Sequence, residues 1–391
     1  MGWKRSCPLS ERMQFIAAWL KGEDTVTALS ARFDVSRKTA YKWIDRYQTE
    51  GPAGLYDRSR APRQPGGLTS PELTARIVKL RRAHPAWGPR KLKARLEMDA
   101  PLTAWPAAST IGDILKREGL VRPRRFRRRA PPMTTPFADA HAPNDVWCID
   151  FKGWWRTGDG RRCEPLTVSD AMSRYLLVCQ PVERPAYDVV WPLMARAVRE
   201  FGLPRAIRSD NGPPFGSVAV GGLSRLAVNF VKMGVFPERI APGKPQENGR
   251  HERLHLTLKR EAASPPSRTL KAQATRLARF RTAYNHERPH EALGQIPPAA
   301  IYAPSPRAWD GKLTAPDYPG ATETRAVRLA GTIKWRGAEP FISEVLSGER
   351  VGIFRTDEDH YEVYFGPILL GHIDRKKRMN RIKPARSRNT S

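Results

Sequence analysis

The sequence predicts a multidomain protein: N-terminal all-α helix-turn-helix units, a central α/β core with a mixed sheet, and a C-terminal small β-barrel. Three observations predict it. Apolar residues recur at helical spacing up to Leu120 and at strand spacing beyond Val146. Stretches rich in Pro, Gly and Arg punctuate the chain. In 391 residues, 68 Lys and Arg stand against 39 Asp and Glu, and a net charge of +29 points to a polyanionic partner. With 40% hydrophobic and 9% aromatic residues the chain can bury several cores, which excludes global disorder and a single small module. No apolar run reaches the ~18 residues of a membrane helix, and the start of the chain lacks a signal peptide's apolar stretch. The protein is therefore expected to be soluble and cytoplasmic, with no membrane partner. Its four cysteines, Cys7, Cys148, Cys163 and Cys179, are scattered and read as small buried hydrophobes, without a disulfide framework or zinc module.

The first unit, residues 1–60, reads as short helices around a sharp turn. Ser10 is a plausible cap for a helix burying Ile16, Trp19 and Leu20, and a second segment carries Val26, Leu29 and Phe33. Asp34-Val35-Ser36 interrupts the pattern, and Ser36 can cap a helix whose Ala40, Trp43 or Ile44, and Tyr47 face inward. Arg37, Lys38, Tyr41 and Lys42 then face outward, where a recognition helix meets base edges and phosphates. An ordinary helical hairpin with a solvated face would show the same pattern. A second helix-turn-helix or winged-helix-like unit is expected over 67–121. Thr69 and Glu72 stand at capping-box spacing, Pro89 opens a helix through Glu97, and a last helix from Ala107 to Glu118 stops at Gly119.

Residues 122–143 form a basic, Pro-containing linker. Six arginines, among them Arg124, Arg125, Arg127 and Arg128, fall within eight residues, a density that repels itself until phosphates neutralise it. Strands are expected over Val146 to Trp155, Glu164 to Ser169 and Tyr175 to Val182, then a helix from Tyr187 to Gly202, a strand near Arg205 to Ser209 and a further helix. That succession describes a mixed-sheet core over 144–304. A linker, 305–323, leads to the expected barrel over 324–374, where Val351 and Ile353, Tyr361, Val363 and Phe365, and Leu369 and Ile373 alternate. The stretch 375–391 holds eight Lys or Arg and no acid, and reads as a disordered basic tail.

Three acids carry the candidate chemistry. Asp150 lies in the apolar strand Val146-Trp147-Cys148-Ile149-Asp150-Phe151, where an isolated carboxylate is costly to bury. Asp210 follows the strand ending at Ser209, and Glu252 lies early in a helix entered through Pro242 to Gly249, a segment that contains Lys244. If adjacent strands and a crossing helix bring them together, the cluster needs cations. Hard oxygen ligands select two Mg2+ or Mn2+ ions, the arrangement that serves phosphodiester chemistry. Taken singly, each also has a structural reading: a salt-bridged acid, an Asp-Asn-Gly turn, and a solvated helix face beside Arg253 and Lys259.

Four motifs together resemble the integrase core of bacterial insertion-sequence transposases. They are Trp147-x-x-Asp150-Phe151; Ser209-Asp210-Asn211-Gly212-x-x-Phe215; Pro245-Gln246-Glu247-Asn248-Gly249-x-x-Glu252-Arg253-x-His255-x-Thr257-Leu258-Lys259; and Tyr284-Asn285-x-x-Arg288-Pro289-His290-x-Ala292-Leu293-Gly294. The resemblance implies a ribonuclease-H-like core of the retroviral-integrase superfamily. Asp150, Asp210 and Glu252 become its catalytic, metal-binding acids, and Lys259 a DNA-binding residue. Double-stranded DNA, as element ends and target, is the implied partner, met by a dimer or higher oligomer. Between Asp210 and Glu252 lie 41 residues, more than the family pattern, and the three-glycine stretch Gly216 to Gly222 reads as an extra loop.

Rival readings exist. His251-Glu252-Arg253-Leu254-His255 matches the His-Glu-x-x-His of zinc peptidases, although no third ligand follows at a recognisable spacing and a peptidase does not account for the charge. A regulator that binds DNA without catalysis is a second reading, against which the intact set of acids argues, and a structure-specific nuclease that cuts without joining is the remaining enzyme alternative. Trp154 and Trp155 read either as base-stacking or as packing residues, and His286 to His290 as a structured loop with Arg288 near phosphate.

Overall fold

A computed structural model describes residues 7–58, 69–121, 140–216, 222–240, 249–357 and 360–374. The expectations placed on Arg124, Arg125, Arg127, Arg128, Lys244 and the C-terminal tail lie outside these residues, as does most of the glycine loop. The chain divides into two compact units, residues 1–69 and 70–391.

In the first unit, α1 (Pro8–Leu20), α2 (Val26–Arg32) and α3 (Arg37–Glu50) close on Phe15, Ile16, Leu29, Ala40, Trp43, Ile44 and Leu55. Proline begins α1 one residue after Cys7, so Ser10 lies inside the helix and does not cap it; a ring with φ already set and no N–H fits the first turn. Leu20, expected inside, is 57% exposed. The Ser36 hydroxyl accepts the Thr39 N–H at 3.2 Å and starts α3 as expected. Asp34 precedes it in the left-handed region, φ 50°, a conformation that aspartate tolerates better than most residues.

The second unit begins with α4 (Pro71–Ala83), α5 (Pro89–Asp99) and α6 (Ala108–Arg117), packed around Ile77, Trp87, Leu92, Leu96, Ile111 and Leu115. The cap of α4 is Ser70, whose hydroxyl accepts from Leu73; the Thr69–Glu72 box is displaced because Pro71 fills the first helical position.

The core sheet is mixed, as expected. Strands β1 (Val146–Phe151), β2 (Trp155–Arg156), β3 (Arg162–Asp170) and β4 (Leu176–Val182) precede α7 (Tyr187–Phe201); β5 (Ala206–Ser209), α8 (Arg225–Lys232) and β6 (Phe236–Arg239) follow. The antiparallel pairs β1–β3 and β3–β4 continue into the parallel pairs β1–β5 and β5–β6, with β2 a short extension beside β3. One face packs Trp147, Ile149, Leu166 and Val168 against α7 and α8. The other receives α9 (Gly249–Leu258), a π-helical turn (Lys259–Ala263) and α10 (Leu270–His286) through Leu254, Leu258, Leu277, Phe280 and Tyr284. Of the cysteines, Cys148, Cys163 and Cys179 are buried as expected, whereas Cys7 is exposed.

The expected barrel is instead an open sheet among the described residues. Strands β7 (Glu323–Ala326), β8 (Arg350–Asp357), β9 (His360–Phe365) and β10 (Ile368–Asp374) form an antiparallel meander in the order β10-β9-β8-β7. Its apolar face needs no closure because Ile333, Trp335, Ile342 and Leu346, together with Leu223, Ala227, Val228 and Val231 at α8, cover it. A register shift between Leu369 and Gly371 turns Leu370 inward, fully buried, where plain alternation predicts Leu369. No helix among the described residues is long and apolar enough to cross a membrane.

Candidate active site

The site begins with the pleat of β1. Trp147 and Ile149 point to the α7 face, so Cys148 and Asp150 point to the α9 face. Asp150 pairs in register with Thr167 of β3. In the other direction β1 runs parallel to β5 with Val146 opposite Ala206, Trp147 opposite Ile207 and Cys148 opposite Arg208. The pairing ends there; Asp150 lies two residues beyond Cys148, and Asp210, the residue that follows β5, lies two beyond Arg208. Each carboxylate is oriented by a backbone donor: Phe151 N–H to Asp150 Oδ1 at 2.7 Å, and Gly212 N–H to Asp210 Oδ1 at 3.1 Å.

Glu252 is carried on α9, whose seat on the sheet is fixed by other residues. His251, Leu254, His255 and Leu258 recur at helical spacing and are buried, while Glu252, Arg253 and Leu256, with Lys259 just beyond the helix, are exposed. Glu252 and Lys259 are seven residues apart and share one stripe beside that seat. Among the described residues, the group of potential metal-ligating side chains that meets within 4.8 Å is Asp150, His251 and His255; Asp210 and Glu252 are not part of it.

The two histidines converge on one hydroxyl. Thr167 Oγ1 lies 2.7 Å from His251 Nε2 and 2.8 Å from His255 Nε2, and donates to the carbonyl oxygen of Asp150 at 3.0 Å. A hydroxyl has one proton and two lone pairs, so with the proton given to Asp150 both imidazoles must donate through Nε2–H. His251 Nδ1 then accepts from the Ser169 hydroxyl at 3.4 Å, and His255 Nδ1 faces Asp150 Oδ2 at 4.0 Å. Burial keeps both rings neutral: it pushes His251 down to about 4, and lowers His255 further with help from the neighbouring charges of His251 and Lys152. The peptidase pattern thus has another use here. A threonine hydroxyl occupies the point toward which both Nε2 atoms are aimed, and Glu252 lies outside their group.

Lys152, two residues past Asp150, is a residue that sequence reasoning missed. Its ammonium is held below the ordinary lysine value by burial and by Lys259, against the opposing pull of Asp150, so two cations and a carboxylate share this corner. A basic residue at the carboxyl end of the Asp150 strand was the available signal. Trp154 is 55% exposed with the guanidiniums of Arg162 and Arg156 at 5.1 and 5.9 Å from its ring, while Trp155 is half-buried against the α9–α10 face.

The fourth motif is structural. The Asn285 side chain accepts the Leu176 N–H at 2.8 Å and donates to the Leu176 carbonyl at 3.0 Å, completing the backbone of β4. Arg288, expected near phosphate, is 9% exposed and pairs with Glu261 of the π-helical turn. On the outer side of this segment α5 docks, with Arg90 on Glu291 at 3.0 Å and Lys91 donating to the Pro289 carbonyl. In the first unit Arg37, Lys38, Tyr41 and Lys42 are all exposed on α3, with the Lys42 ammonium 5.1 Å from the Trp43 ring.

Family models match along the chain: a helix-turn-helix domain over 11–63, a homeodomain-like domain over 39–115, integrase core domains over 140–245 and 233–298, and the C-terminal domain of IS481 family transposases over 322–381. The insertion element IS476 39.2 kDa protein of Xanthomonas euvesicatoria is 29% identical over 305 residues, 77% of this chain and 84% of that protein. The insertion element IS407 31.7 kDa protein of Burkholderia multivorans is 31% identical over 233 residues, 59% of this chain and 80% of that protein. Among solved structures, the HTLV-2 integrase catalytic core domain in complex with magnesium (trimeric form) aligns over 98% of its length and 41% of this chain, at 14% identity and TM-score 0.33. A simian T-cell lymphotropic virus intasome with a PP2A regulatory subunit aligns over 97% and 75%, at 14% identity and TM-score 0.36. Superpositions that loose transfer no residue roles. The helix-turn-helix, integrase-core and IS481 matches, with the insertion-element relatives, define the family: this chain belongs to the insertion-sequence transposases that carry a retroviral-integrase-type core.

Proposed function

We propose that the protein binds the ends of its element and cuts and joins DNA strands, with Asp150, Asp210 and Glu252 as the acids that hold two Mg2+ or Mn2+ ions. The observation that supports this reading is that Asp150 and Asp210 each follow the Cys148–Arg208 pair of the parallel strands β1 and β5 by two residues, and that each carboxylate accepts from a backbone N–H. Carboxylates brought together repel in the absence of a cation, and an all-oxygen donor set suits a hard divalent ion. Such ions, when bound, supply charge stabilisation for the attacking and departing oxygens of an in-line displacement.

The chain's own groups do the rest. The carboxylates are held by the donors of Phe151 and Gly212. Lys152 and Lys259 bring positive charge to the phosphates on either side of the scissile bond, and Glu252 enters from the exposed stripe of α9. The outward residues Arg37, Lys38, Tyr41 and Lys42 read the element end, Lys244 and the arginines Arg124, Arg125, Arg127 and Arg128 follow the backbone, and joining two ends requires at least a dimer. In this reading the segment 122–143 is a linker, whereas 305–323, expected as a second one, lies against the core, with the Ser305 N–H donating to the Phe201 carbonyl and Trp309 packed on the core cluster.

The test is incubation of the purified chain with an end-bearing duplex, Mg2+ and a target plasmid. A joined product is expected. Binding without reaction would make the protein a regulator, and cut ends that are never joined would make it a nuclease; either result overturns the proposal.

A further inference from the structure

The strand that carries Asp150 and the helix that carries Glu252 belong to different parts of the chain, and something must set the distance between them. Three hydrogen bonds meet on Thr167 Oγ1: one to the Asp150 carbonyl at 3.0 Å, and one from each of His251 and His255, at 2.7 and 2.8 Å. Thr167 is also the cross-strand partner of Asp150, and His251 immediately precedes Glu252. All three side chains are buried, Thr167 at 0%, His251 at 2% and His255 at 8% exposure. The hydroxyl has no capacity left, so the knot has one arrangement and cannot slip by a residue along α9 without leaving buried polar groups unpaired. Leucine packing at 254 and 258 would tolerate such a slip far better, because apolar packing is not directional.

We propose that Thr167, His251 and His255 are positioning residues: a buried hydroxyl–diimidazole knot that sets the Asp150 strand against the Glu252 helix and so tunes the affinity of the acids for divalent ions. The inference rests on the metal-dependent reading given above. It assigns the paired histidines of the peptidase-like pattern to geometry and not to ligation, and it assigns a role to Thr167, which carries no motif of its own.

The experiment compares the full-length wild type, Thr167→Val, Thr167→Ser and Asp150→Asn, each with an end-bearing duplex. Mn2+ binding is followed by electron paramagnetic resonance, and strand cleavage is followed against Mn2+ concentration. Valine removes the hydroxyl and keeps the branched shape, and serine keeps the hydroxyl. The expected result is a tenfold or greater rise in half-saturating Mn2+ for Thr167→Val, with duplex affinity within twofold of wild type and Thr167→Ser within threefold. An unchanged Mn2+ half-saturation in Thr167→Val, with only a lower melting temperature, would overturn the inference while leaving the function standing. A wild type that neither binds Mn2+ more tightly than Asp150→Asn nor cleaves would defeat the functional reading itself, and the inference with it. Should Thr167→Val melt below the assay temperature, His255→Ala removes a single arm of the knot. It should then raise the half-saturation threefold or more, and no rise counts against the knot.

Discussion

Asp150 and Thr167 stand directly opposite one another across the antiparallel β1–β3 pair, and the side chain of Thr167 donates to the backbone of Asp150. A candidate catalytic acid is thereby locked to its neighbour before any ligand arrives, and electrostatic catalysis gains from groups that need no reorganisation at the moment of reaction.

Replacing Asp150 or Asp210 with Asn, or Glu252 with Gln, should lower strand cleavage by about a thousandfold, since a missing divalent-ion site removes several kcal/mol of charge stabilisation. Duplex affinity should hold within a few-fold in a filter-binding or anisotropy assay. Full activity in Asp210→Asn would remove that residue from the site.

Arg37→Ala and Lys42→Ala should weaken end binding. A side chain that neutralises one phosphate contributes about one to the slope of log affinity against log salt, whereas one that reads a base edge is worth about 1–3 kcal/mol with little effect on the slope. Titrations at several salt concentrations separate the two roles, and a variant unchanged in both affinity and slope is not at the DNA.

Asn285→Leu removes the side-chain amide that serves both backbone groups of Leu176 in the interior. Two buried polar groups are left without partners, at about 1–3 kcal/mol each. The urea midpoint should fall clearly, with the slope unchanged.

Burial lowers His251 to about 4 and His290 to about 3, so both rings are neutral in the fold, whereas in the unfolded chain they take up protons near pH 6.5. The unfolded state therefore binds more protons below about pH 6.5, and stability falls as the pH drops from there toward about 4, by up to about 1.4 kcal/mol per pH unit for each ring. Denaturation midpoints between about pH 7 and 5 should show this loss, and His251→Gln should reduce it.

Much of the frame was legible because local chemistry announces it. Ser36 before α3, Pro89 at the start of α5 and the alternation in β8 and β9 each have a short-range cause, and the structure agrees with them. What escaped depends on the partner. Strand β6 is four residues with Pro237 inside it, and only its edge pairing with β5 makes it a strand. The bulge that turns Leu370 inward is a matter of cross-strand register, which period-two counting along one strand does not contain. For the candidate site, the motifs offered three acids, of which Asp150 belongs to the group of side chains that meets there. Thr167 was not visible, because a threonine in a β-strand is ordinary until the imidazoles it serves arrive from a helix more than eighty residues later.

Helix α8 is apolar on two sides. Leu226 and Phe230 enter the core that holds Trp147 and Ile149, while Ala227, Val228 and Val231 share a cluster with Val351, Ile353 and Phe365, and Lys232 pairs with Glu349 at 2.6 Å. A recombinant fragment ending before residue 322 would uncover that second flank and offer it to water. Truncations that keep the central region alone should be sticky and poorly behaved, so whoever wants crystals of that region would do well to keep the downstream meander attached.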